Sequence, residues 1–275
     1  MAISLGINEL KSMVESLTDK LGFDYSLISI SFLKRRLNLV FDELNIKKTE
    51  SFIDNLTDRE FADKFYYNLA VPTSELFRDP SFWRSLRSKV LSNDENRGIV
   101  WFPDASSGEE IFTLLILLSE MGLLDSYEIH CTHQSNVKLQ EIGQGILKAK
   151  NIDINENNFK RFGTKGSLSD YFDNTEQGLQ LKAIYAGKLV CHNHHFMQHT
   201  FIKKPSIVIF RNSMLYFTKK GACDALISIY NEMAPKGFLA VGVKESLHGP
   251  VLSNMVCFDN AEQIYMRHPA AVTEL

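Results

Sequence analysis

The stretch Ile99-Val100-Trp101-Phe102-Pro103-Asp104-Ala105-Ser106-Ser107-Gly108-Glu109-Glu110 passes from an apolar run of strand type, through small residues, into Ile111, Leu114, Leu115, Leu117 and Leu118 at helical spacing. It reads as strand, tight turn and helix. Such a turn brings the free N–H groups of a helix start to the carboxyl edge of a sheet, where open α/β sheets bind ligands. Two carboxylates in the first helical turn also complement the helix dipole, so simple capping accounts for Glu109 and Glu110 equally well.

Working outward, strand-like runs recur at Glu128 to Thr132, Lys188 to Cys191, Ser206 to Phe210 and Gly237 to Val243. Helical segments at Glu109 to Met121, Ser135 to Lys148 and Lys220 to Met233 separate them. The alternation predicts an α/β domain over 99–275 with a mostly parallel sheet covered on both faces. Two short runs, Val251 to Phe258 and Gln263 to Arg267, predict an antiparallel C-terminal end to that sheet. A polar segment at 151–187, with Gly163, Gly166 and Gly178, interrupts the pattern and reads as a lid or small subdomain.

Before the sheet, residues 1–70 carry helical periodicity without strand signals, as in Leu10, Met13, Leu17 and Leu21, then Leu33, Leu37, Val40 and Phe41. They predict a small helical domain. Lys34-Arg35-Arg36 gives one of its helices a basic side, either a solvated face or a docking surface for an acidic partner. Residues 71–98 are a linker and one helix, because Pro72 disfavours helix before it and Pro80 opens a new one.

The chain has 275 residues, 44% of them hydrophobic, and a net charge of -3, so it carries no basic footprint for nucleic acid. No apolar run approaches a membrane span, and the N-terminus lacks a secretory pattern, which leads to the expectation of a cytoplasmic protein, a monomer, with no membrane insertion. Cys131, Cys191, Cys223 and Cys257 lack the close pairing of a zinc site and read as reduced thiols. His192, His194, His195 and His199 invite a metal, but strand alternation sets His195 opposite His192 and His194, and no acidic or cysteine partner is spaced to complete a site. No metal is therefore expected.

Ordered motifs then carry a resemblance. Leu33-Lys34-Arg35-Arg36-Leu37, Thr73-Ser74-Glu75-Leu76-Phe77-Arg78-Asp79-Pro80, Ser106-Ser107-Gly108-Glu109-Glu110, Phe210-Arg211-Asn212-Ser213-Met214-Leu215-Tyr216-Phe217 and Pro235-Lys236-Gly237-Phe238-Leu239 with Glu245-Ser246-Leu247 follow one another as in the CheR-type chemotaxis receptor (protein-glutamate) methyltransferases. The resemblance implies a Rossmann-like S-adenosylmethionine-dependent fold and methyl transfer to chemoreceptor glutamates, with S-adenosylhomocysteine as product. It implies a methyl-accepting chemoreceptor or related signalling protein as partner.

It also implies that Ser74, Arg78, Glu110, Asn193, His194, Arg211 and Asn212 hold the methyl donor, with Glu110 facing its ammonium and Asn193 its adenine edge. Arg78 and Tyr216 are implied nearest the reacting groups. His133 departs from the pattern, for it stands where the family has an Asp that accepts from the ribose hydroxyls. Losing that carboxylate is expected to weaken donor binding by about 1.5–3 kcal/mol. Pro103-Asp104-Ala105 likewise replaces a small neutral segment and sets a negative charge near the donor's carboxylate. The departures admit an alternative, a CheR-like signalling protein that binds but catalyses weakly or not at all.

Overall fold

The computed structural model of the chain describes residues 5–72, 74–94, 97–147, 151–164, 166–176 and 178–268. Thr73, in the linker motif, lies outside the described residues, as do Glu95 and Asn96 of the polar linker and Lys148. Helices α1 (Ile7–Leu21), α2 (Ile30–Glu43), α3 (Thr49–Asn55) and α4 (Arg59–Leu69) form the N-terminal part. Their inward residues, Leu10, Leu17, Leu33, Leu37, Phe52 and Phe65 among them, make a core of their own. The basic side of α2 is only partly a free surface. Arg36 turns inward, where Nε donates to Leu69 O at 2.8 Å and Nη2 to Asn68 O and Ala70 O. It thereby caps the end of α4, where carbonyls lack helical partners.

Helix α5 (Pro80–Ser85) starts at a proline suited to a first helical position and continues as a π-helical turn through Leu91. Strand β1 (Ile99–Phe102), helix α6 (Glu109–Glu120), strand β2 (Glu128–His133) and helix α7 (Asn136–Gly143) follow. The helix expected over Ser135 to Lys148 stops early because Gly145 takes a φ of 74°. The chain then enters β3 (Ile146–Leu147), helix α8 (Ile152–Phe162), β4 (Phe172–Thr175), β5 (Gly178–Leu181) and α9 (Ala183–Ala186). β3, β5 and β4 form a small antiparallel sheet. The apolar residues of the 151–187 segment, Phe159, Phe162, Leu168, Phe172 and Leu181, join the same core as β1 and α6. The segment packs Phe159 and Phe162 on Phe77, with ring centroids 5.3 and 4.9 Å apart.

The last elements are β6 (Leu189–Asn193), β7 (Ile207–Phe210), α10 (Lys219–Glu232), β8 (Phe238–Val241), α11 (Pro250–Ser253), β9 (Met255–Asp259) and β10 (Ile264–Arg267). Pro250 starts α11 inside what the apolar pattern predicts as strand, so β9 begins only at Met255. The main sheet has seven strands in the order β6-β2-β1-β7-β8-β10-β9. Neighbours from β6 to β8 are parallel, and β10 pairs antiparallel with both β8 and β9. Alternation divides the strands between two cores. Val100, Phe102, Ile207 and Ile209 face α5 and α6, whereas Ile99, Trp101, Val208 and Phe210 face α10. The chain reverses its order beside β1, which sets the loops after β1, β2, β6 and β7 around one crevice.

Candidate active site

Four strand ends and the linker before α5 form the walls. After β1 the chain turns at Pro103-Asp104, and Ser106, Ser107 and Glu110 face the crevice. The loop after β7 supplies Arg211, Asn212, Ser213 and Tyr216, while the linker supplies Ser74 and Arg78. A second hollow shares Val71, Asp104, Ser106 and Tyr216 with the first. It extends past His133 and His194 under an apolar cover of Ile28, Phe32, Tyr66 and Leu69 from the N-terminal helices. Those helices are tied down at the rim, where Ser29 N donates to Tyr216 O at 2.8 Å and Thr218 N to Leu27 O at 2.7 Å.

The polar end is organised by Arg211. Its side chain is fully buried, donates to Glu110 Oε1 and Asp79 Oδ2 at 2.6 Å each, and stacks 3.9 Å above the Phe82 ring. Its Nε finds no partner among the described residues. Burial raises the Glu110 carboxyl above its usual range, and the Arg211 and Arg78 charges pull it back. Asp79 sits at a φ of 54°, the left-handed region, so the start of α5 is strained into the geometry that meets Arg211.

The loop after β7 is fixed from behind by Glu245. Its carboxylate accepts from Gly242 N at 2.7 Å, Asn212 N at 2.8 Å and Leu215 N at 3.3 Å. A Cβ on Gly242 would lie 2.7 Å from Asn212 Oδ1 and 2.8 Å from Glu245 Oε2, which explains glycine there. Tyr216 stacks on Phe32 with centroids 4.3 Å apart, and burial raises its hydroxyl's pKa, so it stays protonated at neutral pH.

Asp104 lines the junction of the two hollows. Desolvation pushes its carboxyl up to about 6, partly offset by a hydrogen bond with Ser213. His133 is buried, and desolvation with the nearby Lys138 charge pushes its imidazole down to about 4. Its Nδ1 accepts from Ser135 N at 2.9 Å, so the neutral ring carries its proton on Nε2. The folded ring thus offers the hollow it lines a donor and no acceptor.

Ser74, Arg78, Glu110, Arg211, Asn212 and Tyr216 line one hollow, and His133 and His194 line the adjoining one with Tyr216. Asn193 is not among the lining residues. Its Nδ2 braces the carbonyls of His133 and Gln134 at 3.3 and 2.8 Å. The His194 ring turns toward its neighbours, Nδ1 to His195 O at 3.1 Å and Nε2 to His199 Nδ1 at 2.7 Å. The cover from Phe32, Tyr66 and Leu69 escapes a motif search because those residues read only as helix periodicity.

A family model described as the SAM-binding domain of CheR methyltransferases matches residues 72–260. The chain belongs to the CheR methyltransferase family. It is a SAM-dependent methyltransferase in its fold and in the cofactor of its family. This CheR-family chain is 26% identical over 244 residues to a Pseudomonas putida protein designated methyltransferase Cher3, covering 87% of this chain and 89% of that one. It is 23% identical over 247 residues to a chemotaxis protein methyltransferase of Listeria monocytogenes, with 87% and 90% covered. A chemotaxis protein methyltransferase of Borreliella burgdorferi is 24% identical over 266 residues, with 90% and 91% covered. No helix among the described residues is long and apolar enough to cross a membrane.

The crevice of this CheR-family chain suits the zwitterionic end of the methyl donor. Glu110 offers a carboxylate to an ammonium, Arg78 a guanidinium to a carboxylate, and the orphaned Arg211 Nε a donor. The apolar cover suits a flat base. In the same hollow His133 presents a donor.

Proposed function

We propose that this CheR-family chain transfers a methyl group from S-adenosylmethionine to the carboxylate of a glutamate side chain on a methyl-accepting chemoreceptor or related signalling protein. The observation that carries the reading is that Arg78 and Tyr216 line the same hollow as Ser74 and Glu110. Bound donor would supply an electrophilic methyl group on a sulfonium. A glutamate side chain is already ionised at neutral pH, so no strong base is required of the protein. What remains is orientation and removal of water. Arg78 can hold a carboxylate by its forked guanidinium, and the protonated Tyr216 hydroxyl can donate to an acceptor oxygen. Phe32 stacks on Tyr216 and, with Leu69, gives the adjoining hollow an apolar cover.

Support for the substrate class comes from the names of the Listeria and Borreliella relatives, which are chemotaxis protein methyltransferases. The test is transfer of a labelled methyl group to a glutamate-containing chemoreceptor signalling domain, scored as base-labile label. Label that needs both donor and protein, and that falls at least about tenfold in Tyr216→Phe or Arg78→Ala, supports the reading. Absence of label under saturating donor overturns it. The His133 tautomer favours one second reading, a non-catalytic signalling module that has lost donor binding. Calorimetric titration with S-adenosylhomocysteine separates the two, since the module takes up no ligand even at millimolar concentration.

A further inference from the structure

Six of the eight histidines, His130, His133, His192, His194, His195 and His199, gather at the end of β2 and β6. Two of the six are occupied elsewhere. His133 Nδ1 caps Ser135 N, while His195 Nδ1 accepts from Met197 N at 3.3 Å and its ring stacks on Phe23 at 3.9 Å. The others form a converging set. His192 is the penultimate residue of β6, His194 follows the strand, and a short turn over Phe196–Gln198 folds His199 back onto both. One ring nitrogen from each of His192, His194 and His199 lies within 4.8 Å of the other two. Strand alternation does not reveal this, because His199 arrives from the turn and not from the strand.

We propose that His192, His194 and His199 form a binding site for a divalent late first-row transition metal ion.

One pair of the donors lies closer together than a bound ion would set them. Two nitrogens on a tetrahedral ion at its usual bond length lie roughly 3.3 Å apart. His194 Nε2 and His199 Nδ1 are 2.7 Å apart and share one proton, which an ion would replace after a small opening. Hydrogen bonds of this kind between imidazoles require neutral rings as acceptors, the form that binds metal. His194 is already oriented by its Nδ1–H on His195 O, an arrangement that leaves Nε2 as the ligating atom. His192 is backed by His130 at 2.9 Å, and His130 in turn by Glu128 at 3.3 Å, a carboxylate-to-histidine relay of the type that supports ligating imidazoles.

The cluster is not closed by its own hydrogen bonds. His199 Nε2 is buried and finds no partner among the described residues. Phe201 stands edge-on to His199 at 4.2 Å, and the Trp101 ring is 5.9 Å away, so one flank is apolar. An all-imidazole set with no carboxylate or thiolate among the described residues excludes magnesium and calcium and suits zinc, nickel, copper or cobalt. Three protein ligands leave one position open to solvent.

The test uses the full chain, stripped with a chelator and titrated calorimetrically with Zn²⁺, Ni²⁺ and Co²⁺. The expected result is one equivalent of at least one ion, bound at least about tenfold more weakly by each of His192→Ala, His194→Ala and His199→Ala. His130→Ala is expected to lose about tenfold through the oriented ring, and His268→Ala to lose nothing. Circular dichroism of the stripped variants checks folding. Should a variant fail to fold, imidazole-nitrogen coupling in the spin-resonance spectrum of the Cu²⁺-loaded wild type reports the ligands directly. No saturable one-to-one binding, affinity unchanged in the folded variants, or a copper spectrum without multiple nitrogen ligands overturns the proposal.

Discussion

Arg211 Nη1 donates to Glu110 Oε1 at 2.6 Å, and the same guanidinium holds Asp79 at 2.6 Å from a side chain with no exposed surface. Two carboxylates, one just before α5 and one in the first turn of α6, are thus neutralised by one cation from the end of β7. Removing the cation leaves both charges uncompensated, the costly way to break a buried pair. Arg211→Met is expected to destabilise the chain by about 3–5 kcal/mol at pH 7 in urea unfolding. The loss should be smaller in acid, where the Glu110 carboxyl, raised by burial, takes up a proton. Arg211→Lys, which cannot fork onto both carboxylates, should fall between wild type and Arg211→Met. Equal losses at both pH values would mean that the carboxylates are not what the cation compensates.

Asp104 gives the crevice a pH dependence of definite sign. Its ordinary pKa of 3.8 is pushed up to about 6 in the folded chain by desolvation. Below the ordinary value both states are protonated and the group contributes nothing. Between the two values the folded chain keeps a proton that the unfolded chain has released, so stability falls as pH rises, and above about 6 the penalty is complete. It amounts to at most about 3 kcal/mol. Asp104→Asn, which retains a hydrogen-bonding partner for Ser213, is expected to match wild type near pH 4 and to exceed it increasingly up to about pH 6. If Asp104 faces the donor's carboxylate, S-adenosylhomocysteine should also bind wild type more tightly at pH 5.5 than at 7.5, with the difference shrinking in Asp104→Asn.

The alternation of strand and helix was legible because each period reports one buried face, as the split of Val100 and Trp101 between two cores illustrates. Ser106 to Glu110 and Phe210 to Tyr216 were legible because they are contiguous. Partnerships across the fold were not. That Arg36 caps α4, that Glu245 braces the loop after β7, and that Arg211 joins Glu110 to Asp79 depend on which segments the topology brings together. Local chemistry can also be misread in kind. The identity of His133 marks the loss of a carboxylate, yet only the Ser135 contact decides that its free nitrogen is a donor.

Gly108 belongs to the motif for a reason other than ligand access. Its φ of -85° and ψ of -11° are open to any residue, so backbone freedom is not what glycine supplies. A Cβ there would lie 2.3 Å from Cζ of Phe112, whose ring is fully buried one turn along α6. Gly108→Ala should therefore cost about 1–3 kcal/mol by overpacking. Pairing it with Phe112→Leu should cost less than the sum of the single changes, since the smaller side chain vacates the contested space. Additive losses in denaturant unfolding would place the clash elsewhere.

His133 separates the two readings of function most sharply. The ring is neutral throughout the working range because burial holds its pKa down to about 4, and its Nδ1 is committed to Ser135 N. The nitrogen left for the crevice donates, whereas a carboxylate would accept from two hydroxyls. His133→Asp keeps an oxygen available to cap Ser135 N and presents a second oxygen to the crevice. S-adenosylhomocysteine should bind this variant at least about tenfold more tightly than wild type, by calorimetry. Because neither the neutral ring nor an ordinary aspartate titrates between pH 6.5 and 8, the gain should be constant across that interval. The Asp104 effect, by contrast, develops as pH rises toward about 6 and is at its full size above it. A variant that folds and binds no better would show that His133 is not the residue limiting the donor site.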